Sequence, residues 1–375
     1  MNKLSITVLA LGMSLSIFAQ EYNPISTSVA FLNISPESRG SSLGDAGVAT
    51  SADVYSQYWN PAKYAFIEDQ FGLGVSYTPW LRSLVNDIGL IDLTGYYRFD
   101  DLQTVSSSLR FFSMGEIQGT NADGTNTNMI EPTEFAVDLG YSRKFSDNWS
   151  GAVVFRYIRS DIFSGVSTGD VYAGNAYSVD MAAYYNKENV YIADYPAKYA
   201  FGLNLSNIGS KISYDKGTNK LFIPANMKIG GSLELEIDDY NKIAGTLDLN
   251  KLLVPTPNQS DSIDNEYNNM GSLEGIFKSF GDAPNGFKEE MQEVMISLGL
   301  EYTYDNAFSV RGGYFYEHEN KGNREFFSVG AGFKMNVFAL DVSYLIPTDA
   351  TSPLANTLRF SLSFGVDGLA NIFAQ

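Results

Sequence analysis

Residues 225–237, ANMKIGGSLELEI, place Met227, Ile229, Gly231, Leu233, Leu235 and Ile237 on one parity and Lys228, Glu234 and Glu236 on the other. Successive side chains of a strand point to opposite faces, so this stretch reads as a strand with one greasy and one charged face. The pattern continues on both sides. Ile296, Leu298, Leu300 and Tyr302 oppose Ser297 and Glu301; Phe327, Val329, Ala331 and Phe333 oppose Ser328 and Lys334; Leu358, Phe360, Leu362 and Phe364 oppose Arg359, Ser361 and Ser363. Between Phe71 and Phe364 about fourteen such runs follow one another.

A soluble sandwich also alternates, so the connections decide the fold. Tight polar turns at Asp100-Asp101, 146–148, 238–241, Asp305-Asn306 and near Asn336 alternate with long links at 79–87, 116–132, 163–175, 209–224, 252–290, 317–324 and 347–355. Short and long links in alternation, with both termini on the short-turn side, specify an all-β protein: a closed transmembrane antiparallel β-barrel of about 14 strands. One link, 187–198, is longer than a tight turn and is expected on the short-turn side nonetheless. Aromatics at the strand ends, Tyr97, Phe99, Phe145, Trp149, Tyr184, Tyr185, Tyr302, Tyr304 and Phe308, read as an interfacial girdle.

Only 18% of residues are charged and 14% are aromatic, yet the body holds no apolar run long enough for a spanning helix. Residues 1–20 read as a signal peptide, with Lys3 before an apolar stretch and Ala19 near the cut. With no cysteine there is neither a lipid-attachment cysteine nor a disulfide framework, and an exported barrel of this kind belongs in a bacterial outer membrane. The net charge of −18 excludes nucleic acid as a partner, because phosphate binding needs a basic surface. Much of the acid falls in links, including Glu116, Asp123, Asp261, Asp264, Glu266, Glu317 and Glu319, where it keeps loops solvated.

The chain divides into the signal at 1–20, a pre-barrel segment at 21–70, the barrel at 71–365 and a tail at 366–375. The pre-barrel segment does not alternate, and it carries Val29, Phe31, Leu32, Ile34, Leu43, Tyr55, Tyr58 and Trp59, too apolar to float free. It is expected in the lumen as a hatch. Inward-parity residues carry both signs, Arg98, Arg110, Arg156, Arg311, Lys334 and Arg359 against Asp92, Asp138, Asp180, Glu234, Glu236, Asp248, Glu301 and Asp341. Mixed charge in a confined space must be paired or hydrated, which predicts a salt-bridged interior and not an ion-selective pore. In the longest link, Leu273, Ile276, Phe277 and Phe280 recur at helical spacing and predict one short amphipathic helix, a candidate protein-docking surface.

The string SRGSSLGDAGVAT at 38–50, followed by Trp59-Asn60-Pro61-Ala62, resembles the N-terminal hatch of the FadL-like outer-membrane proteins. Its Arg39, Gly40, Gly44, Asp45, Gly47, Asn60 and Pro61 carry the likeness. The glycines permit positive φ and close backbone approach, and Pro61 holds Asn60 extended. With NPISTSVAFLNISPESRG ahead of it, and FKSFGDAPNGF at 277–287, the chain is similar to the FadL-type barrel of the type IX secretion system. That resemblance implies a fourteen-stranded barrel in outer-membrane lipid with long extracellular loops. It implies as partners the translocon barrel, whose lateral gate it covers, a sortase-like surface peptidase with other attachment-complex subunits, and the C-terminal signal domains of cargo shuttled between them. It assigns no cofactor and no reaction. Family analogy also leaves open a transporter moving hydrophobic molecules through a kinked strand, and, more weakly, a lipopolysaccharide deacylase built on the single histidine, His318. The chain is expected not to be an enzyme.

Overall fold

The computed structural model describes residues 22–120, 124–163, 171–257, 267, 269–349 and 351–366. The expected signal peptide, the tail beyond Val366, and Asp123, Asp261, Asp264 and Glu266 lie outside them.

Fourteen strands close the barrel: β1 (Phe71–Pro79), β2 (Gly89–Arg98), β3 (Gln103–Ser113), β6 (Thr133–Lys144), β7 (Trp149–Asp161), β8 (Gly174–Ile192), β9 (Tyr195–Gly209), β10 (Asn226–Glu236), β11 (Asn241–Leu252), β12 (Val294–Tyr304), β13 (Phe308–Tyr316), β14 (Glu325–Met335), β15 (Phe338–Pro347) and β16 (Leu358–Val366). Every neighbouring pair is antiparallel, and β16 returns to β1 with Phe71 opposite Val366 and Tyr77 opposite Phe360. Val366, assigned to the tail by sequence, therefore ends the last strand. The link at 116–132 contains a separate hairpin, β4 (Ile117–Thr120) with β5 (Asn126–Ile130), which alternation did not reveal.

Turn chemistry sets the short end. Asp305 and Asn306 both take positive φ (53° and 51°), the geometry that matches strand twist in a two-residue hairpin, and Asp238 accepts from the Tyr240 and Asn241 N–H groups. The link at 187–198 is corrected here. β8 and β9 run on to a two-residue turn at Ala193 and Asp194, again at positive φ, so the hairpin is long although its turn is tight.

The faces sort as the parity predicts. Leu298, Leu300, Phe327, Val329, Phe360 and Leu362 are exposed on the outside, while Ser297, Ser328, Arg359 and Ser361 are buried within. An apolar exterior over a polar interior suits lipid outside and fixed polar partners inside. Tyr184 departs from the girdle expectation: it faces inward, 1% exposed, against the Phe66 ring. Trp149 and Tyr185 stay outside in edge contact.

Candidate functional site

Residues 22–70 make no strand because prolines and glycines punctuate them; they form short helical turns, α1 (Ser38–Ser42) and α2 (Ser56–Trp59), with 3-10 turns at Ala30–Asn33 and Pro61–Phe66. Glu37 caps α1 by accepting from Arg39 N–H and Gly40 N–H, and it also accepts from Trp59 Nε1 at 2.7 Å. Asn60, extended before Pro61 as expected, accepts from Ala62 N–H and donates to the Val48 and Ala183 carbonyls.

The motif residues meet the wall directly. Arg39 donates to Glu301 of β12 and to Asp53, at 3.1 and 2.9 Å. Ser328 Oγ of β14 accepts from Gly44 N–H, and Asp248 of β11 accepts from both Gly47 N–H and Val48 N–H at 2.7 and 2.9 Å. Gly44 sits at φ 71°, and a Cβ there would lie 2.5 Å from the Tyr314 carbonyl oxygen. Asp45 follows at φ 59° and Gly40 lies under the Trp59 ring.

The wall yields space where the segment needs it. A Cβ at Gly313 would be 2.0 Å from Gly44 N, and one at Gly202 would be 2.1 Å from the Val48 oxygen. These wall glycines are site residues that sequence reading missed. Their signal was available, since glycine weakens a strand unless another backbone must approach, and both lie on the inward parity.

Charges on the wall pair as mixed parity predicts. Asp138 and Arg156 stand opposite each other across β6 and β7, and the guanidinium also reaches Asp180, at 2.7 and 2.9 Å. A bulge between Val179 and Met181 and a left-handed Asn207 let that residue join: its N–H donates to Asp180 and its Oδ1 accepts from Arg156. On the far side Arg311 pairs with Glu301 and with Asp341. Lys334, expected in the lumen, lines the cavity at its solvent-exposed mouth near the Asn336 turn.

The described part of the segment starts at the long-link end; the termini themselves, expected on the short-turn side, lie outside the described residues. Asn23 N–H donates to the Asn320 carbonyl and Ser28 N–H to the Phe222 carbonyl, both in long links, while Gln70 N–H bonds Val366 at the other end. Val29, Phe31 and Leu32 pack there with Leu90, Phe112, Ile158 and Ile212.

The longest link carries two helices where one was expected: α3 (Ser272–Lys278) and α4 (Phe287–Gln292). Leu273, Phe277 and Phe280 are exposed and Ile276 is half-buried. Phe287 and Met291, one turn apart on α4, join them at 79% and 55% exposure, and sequence reading passed over them because a six-residue helix shows too little periodicity. Beneath, the loop is pinned. Lys321 pairs with Glu289 and Glu293, Lys251 pairs with Glu290 and Glu293, and Asp282 accepts from Thr256 N–H. Burial pushes the Asp282 carboxyl up to about 6 against the opposing pull of the Thr256 N–H, and the nearby Glu293 and Glu290 carboxylates add to the rise. His318 accepts from Asn320 N–H at 3.2 Å.

No curated protein matches the sequence. Among solved structures, the fold is similar to the P. putida toluene transporter TodX, at 11% identity and TM-score 0.50, over 90% of this chain and 99% of that one. It is also similar to the CymD monoaromatic hydrocarbon channel, at 10% identity and TM-score 0.50, over 92% of this chain and all of that one (100%). At such identities the likeness shows the fold alone. A Pseudomonas aeruginosa FadL homologue matches at 13% identity and TM-score 0.44, over 92% of this chain and 99% of that one, too distant to carry an argument. The family described as type IX secretion system protein PorV matches residues 17–259, more than half of the chain. This outer-membrane β-barrel therefore belongs to the PorV family of type IX secretion system proteins.

Proposed function

We propose that the chain acts in type IX secretion as a plugged barrel that presents its α3–α4 loop to protein partners, and that it neither conducts solutes nor catalyses a reaction. The observation that carries this reading is the contrast within that loop: buried ion pairs hold its base rigid while Leu273, Phe277, Phe280, Phe287 and Met291 stand exposed above it. Apolar and aromatic anchors commonly dominate interface energy, and a rigid base spares the ordering cost of binding. In this reading residues 22–70 are the hatch, the long links face outward, and the short turns face the periplasm. The barrel covers the translocon's lateral gate, accepts cargo through the cargo's C-terminal signal domain, and shuttles it to the attachment complex with the sortase-like peptidase, the loop being the surface on which these partners dock. A transporter would need an open break in the wall beside the hatch, whereas the inner register shift between β8 and β9 is filled by the hydrogen-bonded Arg156, Asp180 and Asn207.

The test is Phe277→Asp with Phe287→Asp. The variant is expected to remain a heat-modifiable outer-membrane barrel, to lose co-purification with the translocon barrel or the peptidase, and to leave cargo uncleaved. Full partner binding and secretion would overturn the reading. Loss of an acyl-hydrolase activity in His318→Ala, with the barrel folded, would overturn its non-enzymatic part.

A further inference from the structure

The short-turn end carries one feature that the secretion reading does not use. Beyond Asn186, β8 leaves its neighbour behind: its last pairing with β7 is Tyr185 opposite Trp149, and β10 leaves β9 at Ala197. The hairpin's tip is therefore a two-stranded ribbon in which Tyr191 faces Pro196 and Ile192 faces Tyr195; at its root Lys187 and Val190 face Tyr199 and Ala197, which β10 still holds on their other side. The β8 edge beyond Asn186 presents backbone groups with no strand neighbour among the described residues, whereas the β9 edge is held by β10 up to Ala197 and blunted by Pro196; Tyr191, Ile192 and Tyr195 at the tip are exposed. An isolated ribbon of this kind is a template for a further strand, and proteins usually cover or blunt such edges.

The ribbon stands at the mouth of a cavity of about 430 Å³, which reaches from the Asn306 and Asn336 turns inward to Arg39. In its lining, carboxylates outnumber ammonium and guanidinium groups seven to five. The deep carboxylates are held by Arg39 and Arg311. Nearer the mouth Glu188 is 3.8 Å from Lys198, and Glu68 and Glu234 make no ion pair among the described residues. At the root of the ribbon Asn186 lines the same cavity, is 5% exposed, and donates to Glu188, yet its Oδ1 has no hydrogen-bond partner among the described residues. A buried acceptor left open beside excess carboxylate calls for a donor that carries positive charge.

We propose that the ribbon and the cavity mouth form a docking site for an extended protein segment bearing lysine or arginine. Its backbone pairs with a ribbon edge, and alternate side chains reach Glu188, Glu234 and the Asn186 oxygen. Placing that partner in the periplasm rests on the sidedness proposed above; the site itself does not.

The experiment uses the full chain in detergent and two fluorescein-labelled peptides, one alternating lysine with valine and one alternating glutamate with valine. Fluorescence polarisation should show binding of the first and not the second. Glu188→Gln with Glu234→Gln should weaken it about tenfold, and Tyr191→Ser with Ile192→Ser, at exposed tip positions that cannot unfold the barrel, about threefold. Equal binding of both peptides, or unchanged affinity in the two double variants, would overturn the proposal. A cysteine at Asp194 is labelled by an impermeant maleimide only after the outer membrane is opened if the ribbon faces the periplasm. Labelling in intact cells would remove the sidedness and leave the peptide result to judge the site.

Discussion

Residues 22–70 and the α3–α4 loop both hold apolar side chains outside the strands, and they treat them in opposite ways. Phe31 is 2% exposed, packed against the wall at the long-link end, whereas Phe277 on α3 is 77% exposed. The segment found partners because the wall made room with glycine and supplied acceptors such as Asp248 and Ser328. The loop's carboxylates found partners in Lys251 and Lys321, while Leu273, Phe277, Phe280, Phe287 and Met291 were left facing outward. An apolar residue in a connection thus reads as packing when the facing wall is small and polar, and as a contact for another molecule when no wall faces it.

The harshest way to break the comparison is Gly313→Val. Its Cβ would fall 2.0 Å from the Gly44 backbone nitrogen, and backbone cannot rotate away as a side-chain tip can. The expected result is failure to assemble, seen as loss of the heat-modifiable band. Normal assembly would mean that the segment is not seated as described. The matched pair Phe31→Ala and Phe277→Ala sharpens it. The first should cost about 3 to 5 kcal/mol in denaturant unfolding, as large-to-small core changes do, and the second less than about 0.5 kcal/mol. Equal costs would erase the distinction.

Much of the fold was legible because alternation is a local property. Met227 to Ile237 and Leu358 to Phe364 each display the period within one strand, and Asp238 or Asp305-Asn306 announces its own turn. What was not legible depends on what lies opposite. Tyr184 has the look of a girdle residue, and only Phe66 across the lumen shows that it points inward. The hairpin at 187–198 looked like a loop because its tip, Tyr191 to Pro196, projects past the ends of β7 and β10, so no buried face there sets a period. The position of residues 22–28 at the long-link end rests on hydrogen bonds from Asn23 and Ser28 to distant loops, which no pattern within them encodes. In the motif, Arg39, Gly44 and Gly47 were legible as a group by resemblance; Glu301, Tyr314 and Asp248, which they meet, were not.

Asp248→Asn asks how far the segment depends on the wall's acceptors. The carboxylate takes two backbone N–H groups of the segment through one oxygen, and an amide keeps the shape while losing the charge. Hydrogen bonds to charged groups contribute about 1.5 to 3 kcal/mol, so the variant should lose about that much in unfolding while the loop's partner binding stays unchanged. No loss would show the segment held by packing alone.

The smallest expected effect belongs to the base of the loop. Burial raises the Asp282 carboxyl to about 6, so the folded loop binds its proton more tightly than the unfolded chain does. A carboxyl with a raised value favours the folded form below its ordinary range and loses that advantage as pH rises through the folded value. The loop should therefore be firmest near pH 4 and loosen by pH 7, by less than about 1 kcal/mol because the side chain is half-exposed and screened. Asp282→Asn keeps an oxygen for Thr256 N–H and removes the titration. Amide exchange of α3 and α4, corrected for the intrinsic pH dependence of exchange, should drift across that range in the wild type and stay level in the variant. The same drift in both would show that Asp282 does not set it, whereas loosening as pH falls, in both, would assign the control to the Lys251, Lys321 and glutamate cluster beneath, where, although burial opposes it, Lys321 holds the Glu289 carboxyl below its ordinary range.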